Sequence, residues 1–375
     1  MLDGRTRGPG ENVPMSRCDR SGTRYRAGPV DRAFDKASVL AELAKTPFRP
    51  ALWARSGLLQ TVAAMRPARP LPPLREEVWR LPDGDSLRLH HHDAADKAAP
   101  VVLLLHGLEG SRHSAYAREV VHGASLRGWR AVLLEFRSCG GVLNQALRTY
   151  HSGETTDFLH VLHGLIARFP RAPFGAIGFS LGGNVLLKAL GEHGDAMPAN
   201  LRAAAAVSPP FDLGVCSQQC DRRLGGVIAR HFLQTLIPKA IAKERQHPGA
   251  FDAAAVRRCR TFRAFDDLVT APTHGFEDAE HYYTTQSCGP FLPAIRRPTL
   301  LIAAADDPLC RPELLPHEVA AQSSFLVPQF PRHGGHVAFV AGGAPWRPRR
   351  WAEAQALRWF DLVFATAVAN CPAIS

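Results

Sequence analysis

The stretch FGAIGFSLGGNVLLKAL, residues 174–190, decides the fold. An apolar strand over Phe174–Phe179 runs into a Gly-x-Ser-x-Gly turn, and an apolar helix over Leu181–Glu192 runs out of it. A strand–turn–helix of this composition reads as a nucleophile elbow, in which the turn is so sharp that the serine backbone is strained and its hydroxyl projects outward. Gly178 and Gly182 suit such a turn because a Cβ at either position would collide where strand and helix approach. The helix start behind Ser180 favours negative charge developing beside it. The plainer reading is a glycine-rich turn with a structural serine.

Working outward, short apolar runs recur at Val101–Leu105, Ala131–Phe136, Ala203–Val207, Thr299–Ala304 and Phe325–Pro328. Helix-like stretches separate most of them, over Ala115–Arg127, Glu154–Phe169 and Leu181–Glu192. Strands that are apolar on both faces and alternate with helices predict an α/β fold with a mostly parallel central sheet covered on both sides. Upstream, Glu77–Leu81 and Ser86–His92 flank Pro82, Asp83 and Gly84 and read as a β-hairpin. The connection from Ser208 to Pro298 is too long for a simple crossover. Residues 209–297 are therefore expected to form an inserted helical lid, with helices near Val227–Ala242 and Ala253–Phe265. Residues 47–375 are read as one domain, closed by a helix over Trp351–Ala367. Residues 47–74 read as an arm packed on the body through Leu52, Trp53, Leu58, Leu59 and Val62. Residues 1–46 read as a disordered or loosely packed extension with a short helix near Lys36–Lys45.

The whole chain has 375 residues, 46% hydrophobic and 21% charged, which fits a globular protein able to bury its own core. No apolar run approaches the length of a membrane span. Residues 1–30 are basic without an apolar stretch, so no secretory leader is read and the cytoplasm is the expected compartment. The net charge of +11 comes from scattered arginines, with only six lysines, and does not predict a nucleic-acid partner. The eight cysteines form no CxxC pair and are read as reduced thiols, without a metal site.

A serine hydroxyl needs a base, and the base needs an orienting acid. Acid and histidine are expected after later strands, in that order. The strand at 299–304 ends in Asp306 and Asp307, and the strand at 325–328 leads to His333 and His336. The reading assigns His336 as base and Asp307 as acid, with His333 and Asp306 as alternatives. The oxyanion hole is expected from the N–H groups of Leu181 and Leu108, the latter in the loop 106–110. His106 in that loop is read as structural. The His90–His92 run is read as a solvated edge strand, since neighbouring strand residues face opposite ways and three consecutive histidines do not share one ion. Arg137 is expected to hold a loop by pairing with a carboxylate, and Ser152 or Thr156 to cap the following helix. Cys139 is read as a buried thiol.

These residues resemble the α/β-hydrolase fold and, more narrowly, the YheT/EMB8-type AB-hydrolase-4 family. The matching strings are HGLEGSRHSAYA (106–117), EFRSCGGVLNQALRTYHSGETTD (135–157), GFSLGGNVLLKALGE (178–192), FDDLVTAPTHGFEDAEHYY (265–283), LIAAADDPL (301–309) and HGGHVAFVAGG (333–343). The resemblance implies a triad of Ser180, Asp307 and His336 and cofactor-free serine esterase chemistry. One string departs: where the family usually has Arg-Gly-Cys, this chain has Arg137, Ser138 and Cys139. The expected substrate is a small-molecule or lipid ester. The rival readings are acyl transfer or acylglycerol and phospholipid hydrolysis by the same triad, and a catalytically silent binding module. Peripheral membrane contact is expected, if anywhere, through an apolar lid face carrying Phe232, Leu233, Leu236 and Ile237. Oligomeric state is not legible.

Overall fold

The computed structural model describes residues 34–65 and 69–368. Eight strands form the main sheet: β1 (Arg75–Arg80), β2 (Ser86–His92), β3 (Val101–Leu105), β4 (Arg130–Glu135), β5 (Phe174–Phe179), β6 (Leu201–Val207), β7 (Thr299–Ile302) and β8 (Leu326–Gln329). Their order is β1-β2-β4-β3-β5-β6-β7-β8. β2 is antiparallel to both neighbours, and every pair from β4 to β8 is parallel.

Period-two alternation divides each strand between two cores. Leu103, Leu134, Phe174 and Ala176 face helices α4 (Thr155–Arg168) and α5 (Leu181–His193). Leu104, Leu133, Ile177 and Phe179 face α3 (Ala115–Leu126) and the C-terminal helix Trp351–Val368. That last helix comes close because the strands opposite are small. Trp359 donates its indole N–H to the Ala204 carbonyl at 2.9 Å, and a Cβ on Gly175 would meet the Phe360 ring.

The N-terminal expectations need adjustment. Residues 1–33 lie outside the described residues. Residues 36–44 form α1 (Lys36–Ala44), capped by Asp35, with Leu43 wholly buried against the sheet. The arm packs on the body through Ala51, Trp53 and Ala54, but its helix turns a polar side inward. In α2 (Gly57–Ala64) Gln60 is wholly buried, whereas Leu58, Leu59 and Val62 face outward, as does Leu52 before it. The amide of Gln60 donates to the carbonyls of Ala54 and Val340 and accepts from the Val340 N–H at 2.6 Å. Pairing the buried Val340 N–H and the Ala54 carbonyl draws the amide inward more strongly than burial of a leucine would.

The His90–His92 reading is also overturned. β1 covers β2, so the strand is not an edge, and His90 and His91 are buried. His90 Nε2 lies 3.0 Å from Glu135, and burial lowers the His91 pKa to about 4. Among the described residues no group of three or more ligand-type side chains could hold a metal ion.

Residues 208–298 contain α6 (Leu213–Arg222), α7 (Val227–Gln246), α8 (Ala253–Arg258), α9 (Phe262–Phe265), α10 (Ala271–His274) and α11 (Ala279–Gln286). The helix expected over 253–265 is interrupted after Arg258. Cys259 turns extended, and Thr261 starts a new helix by accepting from the Ala264 N–H. A π-helical turn, Asp266–Thr270, joins α9 to α10. These helices keep small apolar clusters of their own, one around Leu233, Val256 and Phe265 and another around Leu213, Tyr282 and Tyr283.

Candidate active site

The carboxyl edge of the sheet gathers the expected residues. Ser180 follows β5 directly, with φ 50° and ψ −119°, a backbone conformation costly for any residue with a Cβ. The turn is held by steric necessity. A Cβ on Gly178 would lie 2.3 Å from the Gly182 carbonyl oxygen, and one on Gly182 would lie 2.4 Å from that of Leu105. The Ser180 N–H is anchored to the Val207 carbonyl at 2.9 Å.

The structure brings Ser180, His336 and Asp307 together. His336 Nε2 is 2.9 Å from Ser180 Oγ, and His336 Nδ1 is 2.8 Å from Asp307 Oδ2. Asp307 is buried, and its second oxygen accepts the Leu309 N–H at 2.8 Å, which locks the carboxylate's orientation. Asp306 does different work. One oxygen accepts the Gly335 N–H at 2.9 Å and the other lies 3.1 Å from His333, so that pair braces the loop carrying His336.

That loop has further supports that the sequence did not reveal. The His336 N–H donates to Thr61 Oγ1 at 2.9 Å, and the Val337 N–H donates to Ser208 Oγ at 3.1 Å. Thr61 belongs to α2. A Cβ on Gly57 would fall 1.9 Å from the Asp306 carbonyl oxygen, and one on Gly335 would fall 2.3 Å from the Gly57 carbonyl oxygen. No local motif advertises these contacts; they join segments 129 and 275 residues apart.

In the loop expected to supply an oxyanion hole, the Gly107 N–H donates to Tyr116 Oη and the Glu109 N–H to Tyr150 Oη, both at 2.9 Å. Leu108 stands between these anchored neighbours, and Leu108 and Leu181 both line the cavity that contains Ser180 and His336. Glu109 is held by the Tyr150 hydroxyl at 2.8 Å and by Lys239 of α7 at 2.7 Å. His106 is wholly buried. Its Nδ1–H donates to the Gly107 carbonyl, its Nε2 accepts the Phe136 N–H, and burial lowers its pKa to about 4. It shapes the loop from beneath.

Arg137 pairs with Asp157 through two bonds of 2.7 and 2.8 Å and reaches Asp83 at 2.6 Å. It is a buried clamp that ties its own loop to the first turn of α4 and to the β1–β2 turn. The cap of α4 is Glu154, whose carboxylate accepts from the Thr156 and Asp157 N–H groups, in place of the expected Ser152 or Thr156. Ser138 has φ 62°, a conformation that the family's usual glycine adopts without strain, and its hydroxyl donates to Asn144 at 2.5 Å. The departure from the family string thus sits on a glycine-like backbone. Cys139 is buried, and burial pushes its thiol up to about 12; α7 brings Lys239 to 3.9 Å from the sulfur.

The cavity above Ser180 has a volume of about 170 Å³. The helices of 208–298 supply much of its wall, including Phe232, Leu236, Phe262, Phe265 and Val269. One ionisable wall residue stands out. Asp266, on the π-helical turn, accepts from Thr270 and Tyr283, both at 2.6 Å, and burial raises its pKa to about 6. The fully buried Asn184 of α5 ties this wall to the body through the carbonyls of Ser152 and Gln286, both at 2.8 Å, and through the Cys288 N–H.

A model of the α/β hydrolase fold matches residues 100–342. The chain is 39% identical over 287 residues to YheT of Escherichia coli K12, which is named as a candidate esterase, covering 74% of this chain and 82% of that one. It is 29% identical over 306 residues to phospholipase ABHD3 of Homo sapiens, covering 79% and 74% of the two chains. Among solved structures it is similar to the Pyrococcus furiosus esterase Pf2001, with a TM-score of 0.49 and 15% identity over 72% of this chain and 90% of that one.

Proposed function

The chain belongs to the α/β-hydrolase family and to its YheT/EMB8-like branch, and on that footing we propose that it is a serine hydrolase that cleaves carboxylic esters with an apolar acyl group. The observation that carries the reading is one unbroken hydrogen-bonded line. Asp307 Oδ2, His336 Nδ1, His336 Nε2 and Ser180 Oγ follow one another at 2.8 and 2.9 Å across the imidazole, beside a mostly apolar cavity.

In this mechanism Ser180 Oγ attacks the ester carbonyl carbon while His336 Nε2 takes the hydroxyl proton. Asp307 holds the ring in the tautomer that leaves Nε2 free to accept, and it stabilises the imidazolium that forms. The carbonyl oxygen, now negative, is held by the Leu108 and Leu181 N–H groups. Collapse breaks the bond to the alkoxide, which leaves with the proton from His336. Water, deprotonated by the same histidine, then attacks the acyl-enzyme and releases the acid. The helices of 208–298 act as a lid in this reading, with the acyl chain against Phe232, Leu236, Phe262 and Phe265. An apolar wall of this kind and a relative named as a phospholipase both favour lipid esters as substrates.

A fluorophosphonate probe tests the reading. It should label the wild type and fail to label Ser180→Ala, and p-nitrophenyl esters of graded chain length should show an optimum above acetate. Folded wild-type protein that neither takes the label nor turns over any ester in the series would sink it.

A further inference from the structure

The helix α2 is inside out. Its polar residues Gln60 and Thr61 point into the body, where they hold the backbone of Val340 and His336. Its apolar residues Leu58, Leu59 and Val62, with Met65 just beyond, recur at i, i+1, i+4 and i+7 and make one stripe. They are 42, 53, 55 and 63% exposed. Scattered exposed leucines are ordinary, but a stripe of four on two turns of helix is a contiguous apolar surface.

The patch extends beyond the helix. Residues 51–53 run alongside the hairpin β9 (Val340–Ala344) and β10 (Arg347–Arg350), with the Ala51 N–H on the Val340 carbonyl and the Trp53 indole on that of Gly343, both at 2.9 Å. Leu52 is 79% exposed, and Trp346 at the hairpin tip is 78% exposed. The charge carried by these two segments has one sign. Arg49, Arg55, Arg347 and Arg349 are exposed, and neither 47–65 nor 340–350 contains an acidic residue.

We propose that this face, comprising α2, Leu52 and the β9–β10 tip, is a docking surface for an anionic lipid surface. An apolar helical stripe flanked by arginines, with an outstanding tryptophan, is what an interfacial helix presents to headgroups and the outer acyl region. Arginine without neighbouring carboxylates selects anionic over zwitterionic lipid. Among the described residues no helix is long and apolar enough to cross a membrane, so the contact is one of lying on the surface. The face differs from the lid face expected from sequence. The same short helix that presents the stripe holds the N–H of His336, so lipid contact and the histidine loop share one element.

The test is co-sedimentation of the full-length protein with vesicles of phosphatidylcholine alone and of phosphatidylcholine mixed equally with phosphatidylglycerol. Wild type should bind the mixed vesicles and bind the neutral ones weakly. A variant carrying Leu59→Ser, Val62→Ser and Met65→Ser should lose about tenfold or more in partitioning, and Trp346→Ser a smaller factor. Arg55→Gln with Arg347→Gln should remove the preference for the anionic vesicles. Melting curves matching wild type establish that each variant is folded. Three results would overturn the inference: no binding of wild type to mixed vesicles, equal binding by the triple variant, or a wild-type dimer in sedimentation that the triple variant dissociates, which assigns the face to a second copy. The readout is binding, so it stands or falls independently of the proposed ester chemistry.

Discussion

The elbow that carries Ser180 and the loop that carries His336 meet at 2.9 Å, yet they are built on opposite plans. The elbow is one consecutive run of strand β5, turn and helix α5, and its shape follows from Gly178 lying against its own backbone and Gly182 against the end of β3. The histidine loop has almost no shape of its own. Thr61, Ser208 and Asp306, on three separate segments, hold its N–H groups. One half is set chiefly by steric exclusion around two glycines, and the other chiefly by hydrogen bonds from separate segments. Damage to the first should therefore be all-or-none, and damage to the second graded.

The largest effect tests the first half. Gly182→Val places carbon against the Leu105 and His106 carbonyls, and neither strand nor helix can retreat without leaving the core. We expect a loss of several kcal/mol, above about 3, and little soluble protein, read by expression and thermal melting. A variant that melts within a few degrees of wild type would break the contrast.

The two adjacent aspartates sharpen it. On the proposed relay, Asp307→Asn should lower kcat by roughly 10⁴-fold with the fold intact, because the amide favours the wrong imidazole tautomer. Asp306→Ala removes only a brace of the loop and should lower kcat by about tenfold, the equivalent of about 1.4 kcal/mol of positioning. Steady-state kinetics on a p-nitrophenyl ester separates them, and equal losses would show that the assignment between the neighbours is wrong.

Thr61→Val probes the most remote support. The His336 N–H loses its acceptor, a loss of about 1–2 kcal/mol, and kcat should fall several-fold with KM nearly unchanged. A change in KM alone would place the effect in the cavity instead of the loop.

The smallest expected effect belongs to neither half and serves as their control. Asp266 has a pKa of 3.8 when unfolded and about 6 in the folded cavity wall. Between these values the folded state keeps a proton that the unfolded state has released, so stability falls as pH rises from about 4 to 6. Asp266→Asn should flatten that part of the melting profile, and an unchanged slope would show that the carboxyl titrates normally.

The same contrast explains what could be read in advance. The elbow was legible because its cause is local: two glycines, a serine and the apolar runs on either side. Asp307 and His336, the proposed acid and base, were legible as residues following strands, in the order that the fold family implies. The reading favoured Asp307 and kept Asp306 as the alternative, since adjacent carboxylates differ only in which way the chain carries them. Thr61 gave no signal at all, being an ordinary residue 275 positions from the group it holds. The reading of α2 failed for a related reason. Its leucines suggested burial, but the N–H groups of Val340 and His336, which need acceptors, made inward-facing Gln60 and Thr61 the better solution. The Cys259 break was missed because Thr261 marks a helix start only once the preceding residues have turned extended.

Among the described residues, all six non-glycine residues with positive φ, Glu109, Ser138, Ser180, Ser208, Val337 and Phe339, lie in loops leaving the carboxyl ends of strands. Unfavourable backbone geometry is thus concentrated on one rim, and the well-packed layers behind it keep it in place. Warming should loosen that rim first. Turnover would then fade at temperatures where helix content and aromatic packing still look native, and rapid cooling would bring it back, because the scaffold that bends those six residues had never come apart.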